Sequence, residues 1–257
     1  MRAFRLFILA WALAGLTWAA QAPLAAAEAL PVSELDQALQ DQGWPPEATS
    51  RLLALAYDAG RDRAATARLL EGIRALGALG FPGQALRAKM DEGRAKRIPA
   101  PRVVAALEIR VEHGRFVMGL PQAAAAGRSV AEAEALGMLV DSLELGLLPE
   151  DLERLSQAGG SLAQLAVAAE MSAMLRQMDF DPDLALRIVD TGLASGALDR
   201  EWRSLPQIAA LARRRGLSDG EVAQAVLKHL AAGATPRDLL PDLGFTGRDL
   251  QRGPMNP

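Results

Sequence analysis

The sequence predicts an all-α protein, an irregular stack of helical hairpins (α-solenoid-like) with about a dozen short helices. A compact helical bundle is the alternative arrangement of the same elements. Three observations lead there. Apolar residues recur at helical spacing: Leu136, Leu139, Val140 and Leu143 stand at i, i+3, i+4 and i+7, as do Met171, Met174, Leu175 and Met178. No long stretch alternates apolar and polar residues, and β-branched residues are scarce. Finally, one kind of helix break repeats along the chain.

The elements follow in chain order. Arg2 and Arg5 precede an uncharged run from Leu6 to Ala20, shorter than the roughly 20 apolar residues that span a bilayer. Small residues follow, and Ala25-Ala26-Ala27 before Glu28 fits the A-x-A cleavage pattern. Residues 1–27 therefore read as a secretory signal peptide cleaved after Ala27. Its removal takes two arginines and no acid, moving the net charge from −3 to −5. That balance argues against nucleic acid as a partner, which needs a basic footprint. Arginine outnumbers lysine 25 to 3, a bias of GC-rich bacterial coding. An exported bacterial chain of this kind, with no later apolar run of transmembrane length, belongs in the periplasm or outside the cell.

Beyond the signal, the breaks define the helices. Glycine, a large apolar residue and then a proline or capping residue occur at Gly43-Trp44-Pro45, Gly80-Phe81-Pro82, Gly119-Leu120-Pro121, Gly146-Leu147-Leu148-Pro149, Gly216-Leu217-Ser218 and Gly244-Phe245-Thr246. Asp179-Phe180-Asp181-Pro182 is a variant with aspartate in the glycine place. Glycine accepts the left-handed conformation that closes a helix, the apolar residue folds back on the last turn, and the next residue starts the following helix. A second kind lies between: Gly60-Arg61-Asp62, Gly127-Arg128-Ser129, Gly160-Ser161 and Gly233-Ala234-Thr235-Pro236. Ser129 with Glu132, Ser161 with Gln164, and Ser218 with Glu221 have capping-box spacing. The first kind recurs at intervals of 27 to 39 residues, near the length of a two-helix repeat. The tetratricopeptide pattern of tryptophan, tyrosine and paired small residues is absent. Residues 28–120 and 129–247 form two helical regions, 121–128 a possible hinge, and 248–257 a flexible tail.

Composition excludes much chemistry. The 257 residues contain no cysteine, so there is no disulfide framework, thiolate zinc site, cysteine nucleophile or lipobox. Two histidines, His113 and His229, and one tyrosine, Tyr57, leave little for acid–base work, and neither histidine belongs to a recognisable catalytic pattern. Asp179, Asp181 and Asp183 open like a calcium loop, but Leu184 stands where glycine must turn; a helix cap is the better account. No metal or other cofactor is implied, and nothing selects catalytic residues.

Two binding surfaces remain. Arg87, Lys89, Arg94, Lys96, Arg97 and Arg102 form a basic segment suited to a charged partner. Met138, Met171, Met174 and Met178 offer a pliable apolar groove. The expected function is a protein-binding adaptor or assembly factor in the cell envelope. The alternatives are a carrier or chaperone for an apolar ligand in the methionine groove, or an enzyme acting on envelope polymers.

Overall fold

The computed structural model describes residues 31–124 and 129–245. The expected signal peptide and tail lie outside the described residues, as do Gly127 and Arg128. The described residues form thirteen α-helices and one 3-10 helix, with no strand. In order they are α1 (Val32–Asp41), α2 (Pro46–Asp58), α3 (Arg63–Ala78), α4 (Gly83–Ala95), α5 (Ala100–Met118), α6 (Pro121–Ala124), α7 (Val130–Glu144), α8 (Pro149–Gln157), α9 (Leu162–Gln177), α10 (Pro182–Ala194), the 3-10 helix (Arg200–Ser204), α11 (Leu205–Arg214), α12 (Asp219–Ala231) and α13 (Pro236–Asp242).

Local chemistry starts these helices where the spacing predicts. Ser129, Ser161 and Ser218 each form a reciprocal capping box, and Thr235 with Asp238 adds a fourth. Asp181 accepts from the backbone N–H groups of Asp183 and Leu184, so the aspartate run caps α10.

The helix ends share one geometry. At Gly43, Gly80, Gly146, Gly216 and Gly244 φ is positive, and so it is at Asp179, whose φ is 54°. The residue after each donates back five positions: Trp44 N–H to Leu39 O (3.0 Å), Phe81 to Leu76 (3.0 Å) and Phe180 to Leu175 (3.0 Å) are examples. Gly119 departs from the expected pattern. Its φ is −79°, and Leu120 N–H bonds to Val117 O, because the chain runs almost directly into α6 and needs no left-handed residue. Further corners of the left-handed kind occur without the glycine–apolar–proline signature, at Gly60, Gly196, Gly233 and Arg97, the last with φ 54°.

Packing is local in the chain. α1, α3, α5, α7 and α9 pack in succession, each against the next, and α10 against α9 and α12 continues the row. Every substantial helix contact joins elements no more than three apart. That is the property of a stack of hairpins, in which each unit buries its face on its neighbours. One hydrophobic core runs through it, including Leu39, Leu76, Leu107, Leu139, Leu165, Ile188 and Val226. Fully burying each such side chain contributes roughly 1.5–3 kcal/mol. The segment expected as a hinge is described only through α6; α5 and α7, on its two sides, pack directly together.

Polar side chains mark the repeat length. Gln42 Nε2 donates to Arg74 O (3.0 Å), Gln164 to Gly196 O (2.8 Å) and Gln177 to Leu145 O (3.1 Å), each across 32 residues. Gln122 does the same to Ser156 O (2.7 Å) across 34. Leu145, Ser156 and Gly196 lie at or just beyond a helix C-terminus, where carbonyls lack an intrahelical donor, and Arg74 lies in the last turns of α3. Glycine sets the closest approach between layers: a Cβ on Gly72 would run into the Val111 side chain, and one on Gly114 into that of Leu76, so each side chain seats directly on the facing helix's backbone.

Candidate functional site

The six basic residues of the 87–102 segment divide into two groups. Arg87 packs its guanidinium over the Trp44 ring, 5.4 Å from the centroid, beside Gly43 O. Lys89 pairs with Glu144 (2.9 Å), and Lys96 with Glu92 (2.5 Å). The side chains of Arg94, Arg97 and Arg102 have no hydrogen-bond or ion-pair partner among the described residues, and all three residues are exposed.

Arg94 and Arg97 line a cleft of about 490 Å³. α2 and α4 both pack on α5, and the cleft is the space they leave above its N-terminal end. Its walls are Ala54 and Leu55 of α2 and Met90 of α4; Ala100 and Val103 of α5 lie beneath, and Ile98 of the α4–α5 corner closes one end. Ile98 is 39% exposed, large for an aliphatic side chain. Arg51 reaches from α2 to Asp91 of α4 at 3.2 Å, and Asp58 completes the charged rim. With Arg51 and Asp91 paired, Arg94 and Arg97 outweigh Asp58, so the rim carries net positive charge on an acidic chain. Arg102 lies in the first turn of α5, outside this lining.

Arg97 occupies a costly position. It holds φ 54° at the corner between α4 and α5, where Ile98 N–H bonds to Gly93 O (2.9 Å). Left-handed backbone costs a residue with a Cβ roughly 1–2 kcal/mol, and most equivalent corners of this chain use glycine. Asp179 is the other exception, and its short polar side chain is among those that tolerate this region. The sequence pattern Arg97-Ile98-Pro99 carries the same signal as Asp179-Phe180, with arginine in the glycine place. The contribution of α2 has no sequence signal, because Arg51 and Asp91 stand 40 residues apart.

Lys89 belongs to a charge network built around one buried arginine. Arg110, 6% exposed, sets Nη1 against Asp141 (2.8 Å) and Glu144 (2.9 Å), joining α4, α5 and α7. His113 lies on the next turn of α5. Burial lowers its pKa, with Arg110 lowering it further while Glu144 and Glu112 oppose.

Two of the three arginines before Gly216, Arg213 and Arg215, are also committed. Arg213 donates bidentately to Asp219 (2.7 Å to each oxygen), to Asp179 O (2.8 Å) and to Met178 O, and lies over Phe180. Arg215 lies over Phe245 and donates to Gly244 O. With Arg87, the same device occurs three times.

The methionines are dispersed in environment. Met138 lines a small pocket with Val167, Leu198 and Arg203, which includes none of the other three. Met171 is fully buried, Met174 is 37% exposed, and Met178 is the half-buried C-cap of α9. Among the described residues no group of three or more His, Asp or Glu stands together as a metal site, and no helix is long and apolar enough to cross a membrane.

Fold and cleft together define a class: an all-α stack of helical hairpins with an amphipathic, basic-rimmed cleft near one end of the chain. No protein-family model, curated protein or solved structure matches it.

Proposed function

We propose that this chain is an exported helical-repeat adaptor that binds an acidic protein partner in the cleft between α2, α4 and α5. The observation that carries this is Arg97. A long cationic side chain sits where the backbone favours glycine, beside unpaired Arg94, while Arg87, Lys89 and Lys96 are engaged within the fold. Strain of this kind persists where a side chain is needed for something besides folding. The apolar walls supply burial for an anchor residue, and the two arginines meet carboxylates. The reading of residues 1–27 as an export signal supports a partner in the cell envelope.

The test is affinity capture from periplasmic and membrane fractions with wild type, the double variant Arg94→Glu/Arg97→Glu, and Arg187→Glu on exposed α10 as a charge control. A stoichiometric partner retained by the control and lost by the double variant is the expected result. A partner indifferent to the double variant, or no partner with any form, overturns it.

A further inference from the structure

A second cavity, separate from the cleft, lies between α8, α9 and α10 and has a volume of about 310 Å³, within the range of small-molecule sites. Its wall is apolar: Leu147, Leu148, Phe180, Pro182, Ala185 and Leu186. At the rim Arg176 and Asp151 are held together at 3.1 Å. The remaining polar lining group is Ser172 of α9, 7% exposed, whose Oγ is buried without a hydrogen-bond partner.

That hydroxyl is unlike the other buried serines. Ser142 Oγ donates to Met138 O at 2.8 Å, the usual way a helical serine satisfies itself, and Ser156 Oγ donates to Gln122 Oε1 at 2.7 Å. Leaving a buried hydroxyl unpaired is destabilising, because the group has given up its hydrogen bonds to water. A water at Ser172 would otherwise face the apolar wall, whereas a buried water needs two to four polar partners. What fits is a body that fills the apolar wall and brings one oxygen to Ser172.

We propose that this cavity binds a small apolar molecule carrying one hydroxyl or carbonyl oxygen, with Ser172 Oγ hydrogen-bonded to that oxygen. The site differs from a methionine-lined groove: none of Met138, Met171, Met174 and Met178 lines it.

The probes are naphthol and its near-isostere methylnaphthalene, which differ in the oxygen, titrated calorimetrically into wild type, Ser172→Ala and Leu186→Trp. Wild type is expected to bind naphthol more tightly than methylnaphthalene by roughly tenfold, the worth of one good neutral hydrogen bond. Ser172→Ala should erase that difference while retaining methylnaphthalene. Its Tm should be unchanged or raised, because an unpaired hydroxyl is removed from a helix. Leu186→Trp, at the half-buried edge of the cavity, should lose both ligands and keep its fold by circular dichroism. Any of three results overturns the proposal: no binding by wild type, a naphthol preference that survives Ser172→Ala, or a fall in Tm for Ser172→Ala, which would mean the hydroxyl already has a partner.

Discussion

The guanidinium of Arg213 lies 5.5 Å from the centroid of the Phe180 ring and donates to Asp179 O just ahead of that ring. One side chain thereby closes the end of α9, covers the aromatic that follows it, and holds Asp219 at the first turn of α12. Carbonyls at a helix C-terminus carry partial negative charge, and a planar cation that also stacks on a ring is suited to both tasks. Arg87 over Trp44 and Arg215 over Phe245 repeat the arrangement, so arginine here serves the corners of the stack.

Arg213→Met should keep the stacking volume and lose the donors. We expect a loss of about 2 kcal/mol, the range for hydrogen bonds to charged groups at a partly exposed site. Chemical denaturation measures it, and a change within error would mean that water replaces the guanidinium without penalty.

Arg97→Gly separates stability from binding. Relief of the left-handed strain should stabilise the chain by up to about 1 kcal/mol, while partner capture weakens. A variant that is both less stable and fully competent in binding would remove the argument for the cleft.

Two glycines predict opposite outcomes for the same change. A Cβ on Gly192 would press into three atoms of buried Leu198, whereas Gly137 has open space around it. Gly192→Ala should cost about 1–3 kcal/mol through overpacking, and Gly137→Ala should add up to about 1 kcal/mol through helix propensity. Thermal melts of the pair distinguish close packing from glycine content.

His113 should make stability fall in mild acid. Its folded pKa is depressed, chiefly by burial, so the unfolded chain takes up a proton first. The contribution is complete above the unfolded value of about 6.5 and is lost as pH falls from there through the folded value. His113→Leu should flatten the pH dependence of unfolding in that window. Asp219 acts the same way at lower pH: Arg213 holds its pKa below the ordinary aspartate range, so its contribution is lost only as pH falls through that range and below.

Glu144 anchors both Lys89 and buried Arg110. Glu144→Leu should cost about 1–3 kcal/mol, because it leaves buried Arg110 with only the exposed Asp141 carboxylate and Lys89 without its 2.9 Å partner. Adding Arg110→Met should recover much of that loss. If the double variant is no more stable than the single, the network contributes through Lys89 and Asp141 instead.

The sequence by itself determined the helices and most of their ends. Left-handed glycines, N-cap serines and prolines in first turns act within a few residues, so Gly43, Ser161 and Pro149 announce their roles locally. Gly119 misled because its context is that of a reversing corner, while the chain there continues into α6. What only the tertiary structure decided is which side chains are committed. Arg87, Arg94 and Arg97 look alike in the sequence; Trp44, from an earlier hairpin, engages Arg87, and the α2–α4 cleft receives the other two. The seating of one hairpin on the next likewise rests on bonds such as Gln164 to Gly196, which recur about one repeat apart. Local rules act through backbone geometry within a turn, whereas partnership between charges 30 to 55 residues apart depends on how each layer sits on the next. That seating is set by close contacts such as Gly72 on Val111, which no local pattern encodes.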